Sequence, residues 1–546
     1  MTKKIVSAAL AVILLATLML PVSAQSYTLR NDEVPVIMIG GDGEPIVDAE
    51  GNQVIDVAHL SAVTADVEKK DVYESVANIL KPFLLEGIFL NRWDKYYENL
   101  YTEISEMTQP FRLDKDGNAT NGTNISAARI AENERSMHAD KKGEKGYYSY
   151  NDYLFWYDWR LDPLETADRL AEYIDNVLAA TGKEKVAIIA RCVGTNIALA
   201  YVAKYGTAKL YGLGFDGSCS CGGEFISDAL SGKFHVDGNA IERFLTDYDA
   251  MGLMNVSEFA IASVDLLTKS GVLDAFLKVS RATIYKKIAE GATSALALST
   301  MLTMPCYWCF VTAEDYETAK NYIFGEEGSA KRAEYAVLIE KLDRYQDTVR
   351  TKIPELMQSL KDNGVNVGVF SKYGYQIVPI CASCDAVADT YASVHSSSFG
   401  ATTSTVYDTL SDDYIAARVA EGKGKYISPD KKVDASTCIF PDNTWFSKGA
   451  RHGDWTKTEN ELLYAVVTAD RQLTTEDFDY TQFMVYNTQT REMSPMTTEN
   501  CNTEYWTADQ ETDAPTNVFL RIRAYLKALV NWIKALGTRL RTKHEK

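Results

Sequence analysis

The sequence predicts an α/β fold, a mostly parallel sheet flanked by helices, with a helical cap inserted and a basic amphipathic helix at the C-terminus. Three observations carry this. Apolar runs of strand length occur at 34–39, 153–157, 185–190, 210–215 and 365–371, as expected of strands covered on both faces. Stretches of helical spacing separate the middle strands, and crossovers of that length join parallel neighbours. Strand character then stops from about 218 to 362, where "ASVDLLTKSGVLDAFLKVSRATIYKKIAEGATSALALSTML" is helical in pattern.

The chain begins with "MTKKIVSAALAVILLATLMLPVSAQS". Its basic start at Lys3 and Lys4, apolar run and Val22-Ser23-Ala24 ending have the form of a secretory signal cut after Ala24. An uncleaved membrane anchor is the competing reading, and the absence of a cysteine at the cut argues against a lipoprotein anchor. Next, "VPVIMIGGDGEP" reads as a buried strand closing on Gly40-Gly41 and a polar turn. Residues 66–112 carry helical spacing with many aromatics, and 113–127 read as loop, with glycan-acceptor patterns at Asn118, Asn121 and Asn124.

The strand at 153–157 ends in Asp158-Trp159-Arg160, after which Asp162 caps a helix. Pro163 occupies its first position and Glu165 the third position of a capping box. Leu164, Ala167, Leu170, Ala171, Ile174, Val177 and Leu178 form its apolar stripe, which stops at Gly182. The strand 185–190 follows, then a turn at Cys192, a helix to about Tyr205, and the strand "LYGLGF" leading to Asp216-Gly217. A last helix is expected at about 458–467. The resulting division is a signal peptide at 1–24, a core at 25–217 and 363–470, a cap at 218–362, and a C-terminal extension at 471–546.

Bulk properties narrow the function. The 546 residues exceed one ordinary single-core domain, while 46% hydrophobic and 24% charged residues give a normal globular balance. The net charge of −19 argues against nucleic acid as a partner. The tail "NVFLRIRAYLKALVNWIKALGTRLRTKHEK" is too charged to span a bilayer. It suits either peripheral contact with an anionic envelope or membrane surface, or docking onto this acidic protein. Nine cysteines are an odd number for a secreted chain. The pairs Cys306/Cys309 and Cys381/Cys384 lie too far apart for a zinc ribbon, so core thiols or a disulfide fit them better than a metal. No cofactor is expected.

Chemistry concentrates at "KVAIIARCVGTN" (185–196). A strand-to-helix turn lifts a nucleophile above the sheet and aims the helix's first amides at a reacting carbonyl. Cys192 occupies that turn, flanked by the small Ala190 and Gly194 and by the bulky Arg191. A cysteine at a helix N-terminus has a lowered pKa, and its thiolate pairs with histidine as base. The competing reading is a small buried cysteine at a strand end, and partners separate the two. Of six histidines, His452 in "TWFSKGARHGDW" stands where the last catalytic residue belongs, with His395 in "ASVHSSSFG" as competitor. Asp385, in the loop after the strand 365–371, is the expected acid, with Asp389 and Asp216 as alternatives. Backbone donors for an oxyanion are expected from Val193 and from Gly41 or Asp42. A disulfide from Cys192 to Cys219 or Cys221 would silence the thiol.

These residues resemble a family. "YDWRLDPLETADRLAEYIDNVLAATGKEKVAIIARCVG" (157–194) is similar to the lecithin–cholesterol acyltransferase-like branch of the α/β-hydrolases, with its Y-D-W-R-L run, capped helix and G-H-S-x-G turn. "DAV" at 385–387 resembles the D-G-V that carries the acid in bacterial lipases, and "GARH" resembles the histidine segment. The resemblance covers about a quarter of the chain and implies a lipase, esterase or acyltransferase with a lid, acting on an acyl ester or lipid-like substrate. Carried over by position, it implies a triad of Cys192, Asp385 and His452. Cysteine replaces the family's serine and Ala190 its first motif glycine. A Cys-His-Asp triad does occur in dienelactone hydrolases, which share the fold. The alternative is a non-catalytic protein that binds a ligand in a degenerate hydrolase pocket.

Overall fold

A computed structural model describes residues 27–30, 32–41, 45–55, 92–108, 112–120, 122–138, 153–233, 301–377 and 381–501, with positions 235, 240, 243–244, 291 and 379. The expected signal peptide, Asp42, most of the expected cap between 234 and 300, and the expected C-terminal amphipathic helix lie outside the described residues.

Eight strands form the main sheet: β1 (Val36–Ile39), β2 (Tyr153–Phe155), β3 (Val186–Arg191), β4 (Leu210–Asp216), β5 (Asn366–Tyr373), β6 (Thr444–Lys448), β7 (Phe483–Asn487) and β8 (Glu492–Pro495). Their spatial order is β8-β7-β6-β5-β4-β3-β1-β2. Every pairing is parallel except β7 with β8. The apolar runs become central strands because both faces are covered. All six residues of β3 and all eight of β5 are buried.

Helices α1 (Pro163–Thr181), α2 (Val193–Tyr205), α3 (Glu224–Leu230), α4 (Ala336–Thr348), α5 (Ile353–Asp362) and α6 (Lys457–Thr468) surround the sheet. One face buries Ile37, Ile39, Ile188, Leu213 and Val367 in a cluster with α1, α2 and α5. The other buries Val36, Met38, Ile189 and Phe370 beneath Leu462, Leu463 and Val466 of α6. The alternation along β1 and β3 thus divides between two helical layers. Between 301 and 362 the described elements are all helical.

Asp162 caps α1 through a 2.9 Å bond from the Leu164 amide. Glu165 does not complete the expected box and lies 3.2 Å from Lys341 Nζ, because α4 brings a cation to that end. Arg344 of α4 likewise pairs with Asp162 at 2.7 Å. A complete capping box forms at α6 instead, from Thr456 and Glu459.

The chain leaves β1 toward β2 on one side and continues from β3 to β4 on the other. This reversal opens a crevice at the carboxyl ends of β1 and β3, where open α/β sheets hold ligands. Gly40-Gly41 and Cys192 come from these two strand ends.

Candidate active site

Cys192 caps α2 without a side-chain capping bond, at φ 47° and ψ −123°. A non-glycine residue at such a φ is held in place by its surroundings, at a cost of about 1–3 kcal/mol. The restraints are visible. Its amide donates to Asp216 O at 3.1 Å, while its carbonyl accepts from the Thr195 amide at 3.0 Å and from Thr195 Oγ1 at 2.6 Å. Gly194 is required by α2's close approach to β1, since a Cβ there would lie 2.7 Å from Gly40 O and 2.8 Å from Ile39 O.

The glycine loop faces the thiol. A Cβ on Gly41 would sit 2.9 Å from Cys192 Cβ and 3.4 Å from its Sγ, so only glycine leaves the sulfur room. Tyr157, from the Y-D-W-R-L run, fixes this loop by donating its hydroxyl to Gly40 O at 2.6 Å. The neighbouring Asp158 and Arg160 form a fully buried pair at 2.6 Å that holds the end of the run. The Val193 amide faces the Cys192 sulfur. Val193 and Gly41 are therefore at the thiol, and Asp42 lies outside the described residues.

His452 reaches the same place from the loop after β6. An imidazole nitrogen of His452 and the sulfurs of Cys192 and Cys219 all lie within 4.8 Å of one another. The carboxylate beside His452 is Asp389, whose Oδ2 lies 2.7 Å from Nδ1. The His452 amide also donates to Asp389 O at 2.8 Å. Asp385, the expected acid, is exposed, and its carbonyl accepts the Val406 amide. The loop turns just after Asp389: Thr390 has φ 91°, and Asp389 Oδ1 accepts the amides of Tyr391 and Ala392 at 3.0 and 2.8 Å. Those bonds fix the carboxylate inward. Tyr391 packs its ring 5.1 Å from that of His452, and Gly217 lies against the imidazole.

The other candidates are placed elsewhere. His395 is exposed and bonds Ala401 O at 3.1 Å through Nδ1. Asp216 faces two cations rather than His452, with Arg191 Nε and Lys372 Nζ each 3.0 Å away. Cys306 and Cys309 are buried in one apolar cluster and Cys381 and Cys384 in another, so the two pairs do not converge on one site.

The electrostatics favour charge separation. The Cys192 thiol is held well below its usual range, first by hydrogen bonding from Cys219 and then, against burial, by His452 and the Val193 amide. Burial opposes a charge on His452, yet Asp389 and Cys192 together raise its pKa well above the usual value. The site is thus set for a thiolate–imidazolium pair with Asp389 behind it.

Beneath the site lies an ionic network absent from the sequence reading. Lys372 Nζ bridges Asp216 at 3.0 Å and Glu459 Oε1 at 2.9 Å, all three fully buried. Arg191 joins through Asp216 and lays its guanidinium 4.0 Å from the Trp455 ring centroid. Burial, then the neighbouring Asp216 charge, pushes Glu459 up to about 8.

No family model matches this sequence, and no curated protein matches it. Among solved structures, one described as "The crystal structure of Tle4-Tli4 complex" aligns over 63% of this chain and 75% of that one, at 12% identity and a TM-score of 0.26.

Proposed function

We propose that this protein is a secreted thiol acyl hydrolase that cleaves an ester or lipid-like ester through a Cys192 thioester. The observation that carries the reading is a strained strand-to-helix cysteine whose sulfur lies within 4.8 Å of a ring nitrogen of a histidine that is hydrogen-bonded to an aspartate. Secretion rests on the sequence pattern of the first 24 residues, and peripheral contact with a membrane or envelope surface on the basic, amphipathic pattern of the C-terminal sequence. Among the described residues no helix is long and apolar enough to cross a membrane.

Each step has a group to perform it. Cys192 Sγ attacks the acyl carbon, with its proton held by His452. The carbonyl oxygen becomes an oxyanion that accepts the Val193 amide and a second amide from the Gly40–Asp42 loop. Asp389 keeps the imidazole oriented and stabilises its charged form. As the tetrahedral intermediate collapses, His452 gives its proton to the leaving alcohol and a thioester remains. Water, deprotonated by His452, then attacks the thioester. Collapse expels the Cys192 thiolate and releases the acid, and the proton that His452 took from water leaves the resting thiolate–imidazolium pair restored. Transfer to a second alcohol in place of water would make the same site an acyltransferase.

The testing experiment is hydrolysis of a panel of esters and thioesters under reducing, oxygen-free conditions. Wild type is expected to turn over at least one class, and Cys192→Ala none. Equal rates in both would overturn the reading and favour a ligand-binding protein on the same fold. Gly41→Ala is expected to lower kcat/KM by about a hundredfold, because the added carbon displaces the sulfur from its attack position. Near-ultraviolet circular dichroism should remain that of a folded protein. Wild-type kinetics in this variant would place the acyl group elsewhere.

A further inference from the structure

Cys219 has no step in the proposed hydrolysis, yet its side chain is fully buried at the centre of the site. Its sulfur lies 3.9 Å from that of Cys192 and 3.7 Å from Gly217 O. The two sulfurs and an imidazole nitrogen of His452 form the one Cys/His group of metal-ligating proximity among the described residues. We propose that Cys192, Cys219 and His452 form a binding site for one soft divalent cation, Zn²⁺.

Geometry supports the assignment. With Zn–S bonds of about 2.3 Å, a tetrahedral ion holds its sulfurs roughly 3.8 Å apart, close to the spacing found here without a metal. The imidazole must close in slightly. His452 Nε2 is buried without a hydrogen-bond partner at bonding distance, while Nδ1 is held by Asp389 at 2.7 Å. A carboxylate behind a ligating imidazole fixes its orientation and strengthens it as a ligand. Two thiolates and one neutral imidazole balance the +2 charge, and this donor set selects Zn²⁺ over Mg²⁺ or Ca²⁺.

Three protein ligands leave a fourth position for water, as in open zinc sites. On binding, His452 gives up its Nε2 proton as the Zn–N bond forms and each sulfur still carrying a proton gives it up as its Zn–S bond forms, all to solvent, and no electron is transferred. The occupied site engages the Cys192 sulfur and His452 together, so the metal-bound and acyl-transfer states exclude each other. Metal binding itself does not depend on the hydrolase reading.

The test is an anaerobic titration of the full-length, reduced protein with Co²⁺, followed through the thiolate-to-cobalt charge-transfer band and the visible bands of a tetrahedral ion. One equivalent should bind, and Zn²⁺ should displace it. Cys219→Ser, which keeps the volume of the side chain, should lose this signature while retaining wild-type near-ultraviolet circular dichroism. Asp389→Asn should weaken binding about 10- to 100-fold. Cys309→Ala and Cys381→Ala, which alter thiols outside the cluster, should bind as wild type does. No charge-transfer band in wild type, or an undiminished band in folded Cys219→Ser, would overturn the site. Neither result bears on whether esters are hydrolysed.

Discussion

Asp389→Asn should lower ester hydrolysis by about 10⁴-fold, the loss seen when the acid behind a catalytic histidine becomes an amide, whereas Asp385→Asn should leave the rate unchanged. The reason is which atom faces Nδ1. Asp389 Oδ2 lies 2.7 Å from it and is itself fully buried. An asparagine presenting its NH₂ there would favour the wrong tautomer and withdraw support from the imidazolium. The amides of Tyr391 and Ala392 that hold Oδ1 are backbone donors and remain, so the loop should keep its shape. Asp385 is on the exposed side of the same loop. Measuring kcat/KM for both variants checks the assignment, and a large loss in Asp385→Asn with none in Asp389→Asn would reverse it.

Lys372→Met should destabilise the fold by about 3–5 kcal/mol, since removing one partner of a buried ionic group leaves the others uncompensated. Lys372 is the shared cation of Asp216 and Glu459; Asp216 retains Arg191, whereas Glu459 loses its cation. Above about pH 8, where it ionises, Glu459 becomes an uncompensated buried charge, so the loss is to be measured above that pH. Adding Glu459→Gln should therefore restore part of the stability, which urea unfolding of the single and double variants measures.

The wild-type network also sets a pH window. Glu459, raised from 4.5 to about 8, contributes stability present in full below pH 4.5 and lost as pH rises through 8. Burial opposes ionisation of Asp216, yet Lys372 and then Arg191 bring its pKa below the usual 3.8. Its contribution is present above pH 3.8 and is lost in acid. Glu459→Gln should flatten the decline between pH 4.5 and 8. An unchanged slope, together with a loss below 1 kcal/mol in Lys372→Met, would contradict this account of the network.

Much of the α/β core was legible because its strands are buried on both faces and therefore appear as unbroken apolar runs. Cys192 was legible from the strand–turn–helix pattern, and His452 from its place after the last predicted strand segment. The acid was not. Asp385 and Asp389 are four residues apart in a loop, where no periodicity says which side chain turns inward. The "DAV" resemblance favoured the first. The local signal for the second was an aspartate able to accept the amides two and three residues onward.

The ionic network was hidden for a different reason. Arg191 and Asp216 are partners across neighbouring strands, and Lys372 belongs to the next strand over. Their meeting depends on sheet order, which local patterning does not encode. Glu165 shows the limit of local capping logic, since a cation on α4 took the carboxylate that the sequence assigned to the cap.

The most direct measurement is the mass of Cys192 during turnover. Reduced wild type would be acid-quenched with a slowly released activated ester and digested, and the peptide containing Cys192 weighed. The account predicts one acyl group on that peptide, carried on sulfur and released by hydroxylamine, and none anywhere in Cys192→Ala. A wild type that hydrolyses the ester while Cys192 stays unmodified, or that becomes acylated on another residue at the same rate in both proteins, would contradict it.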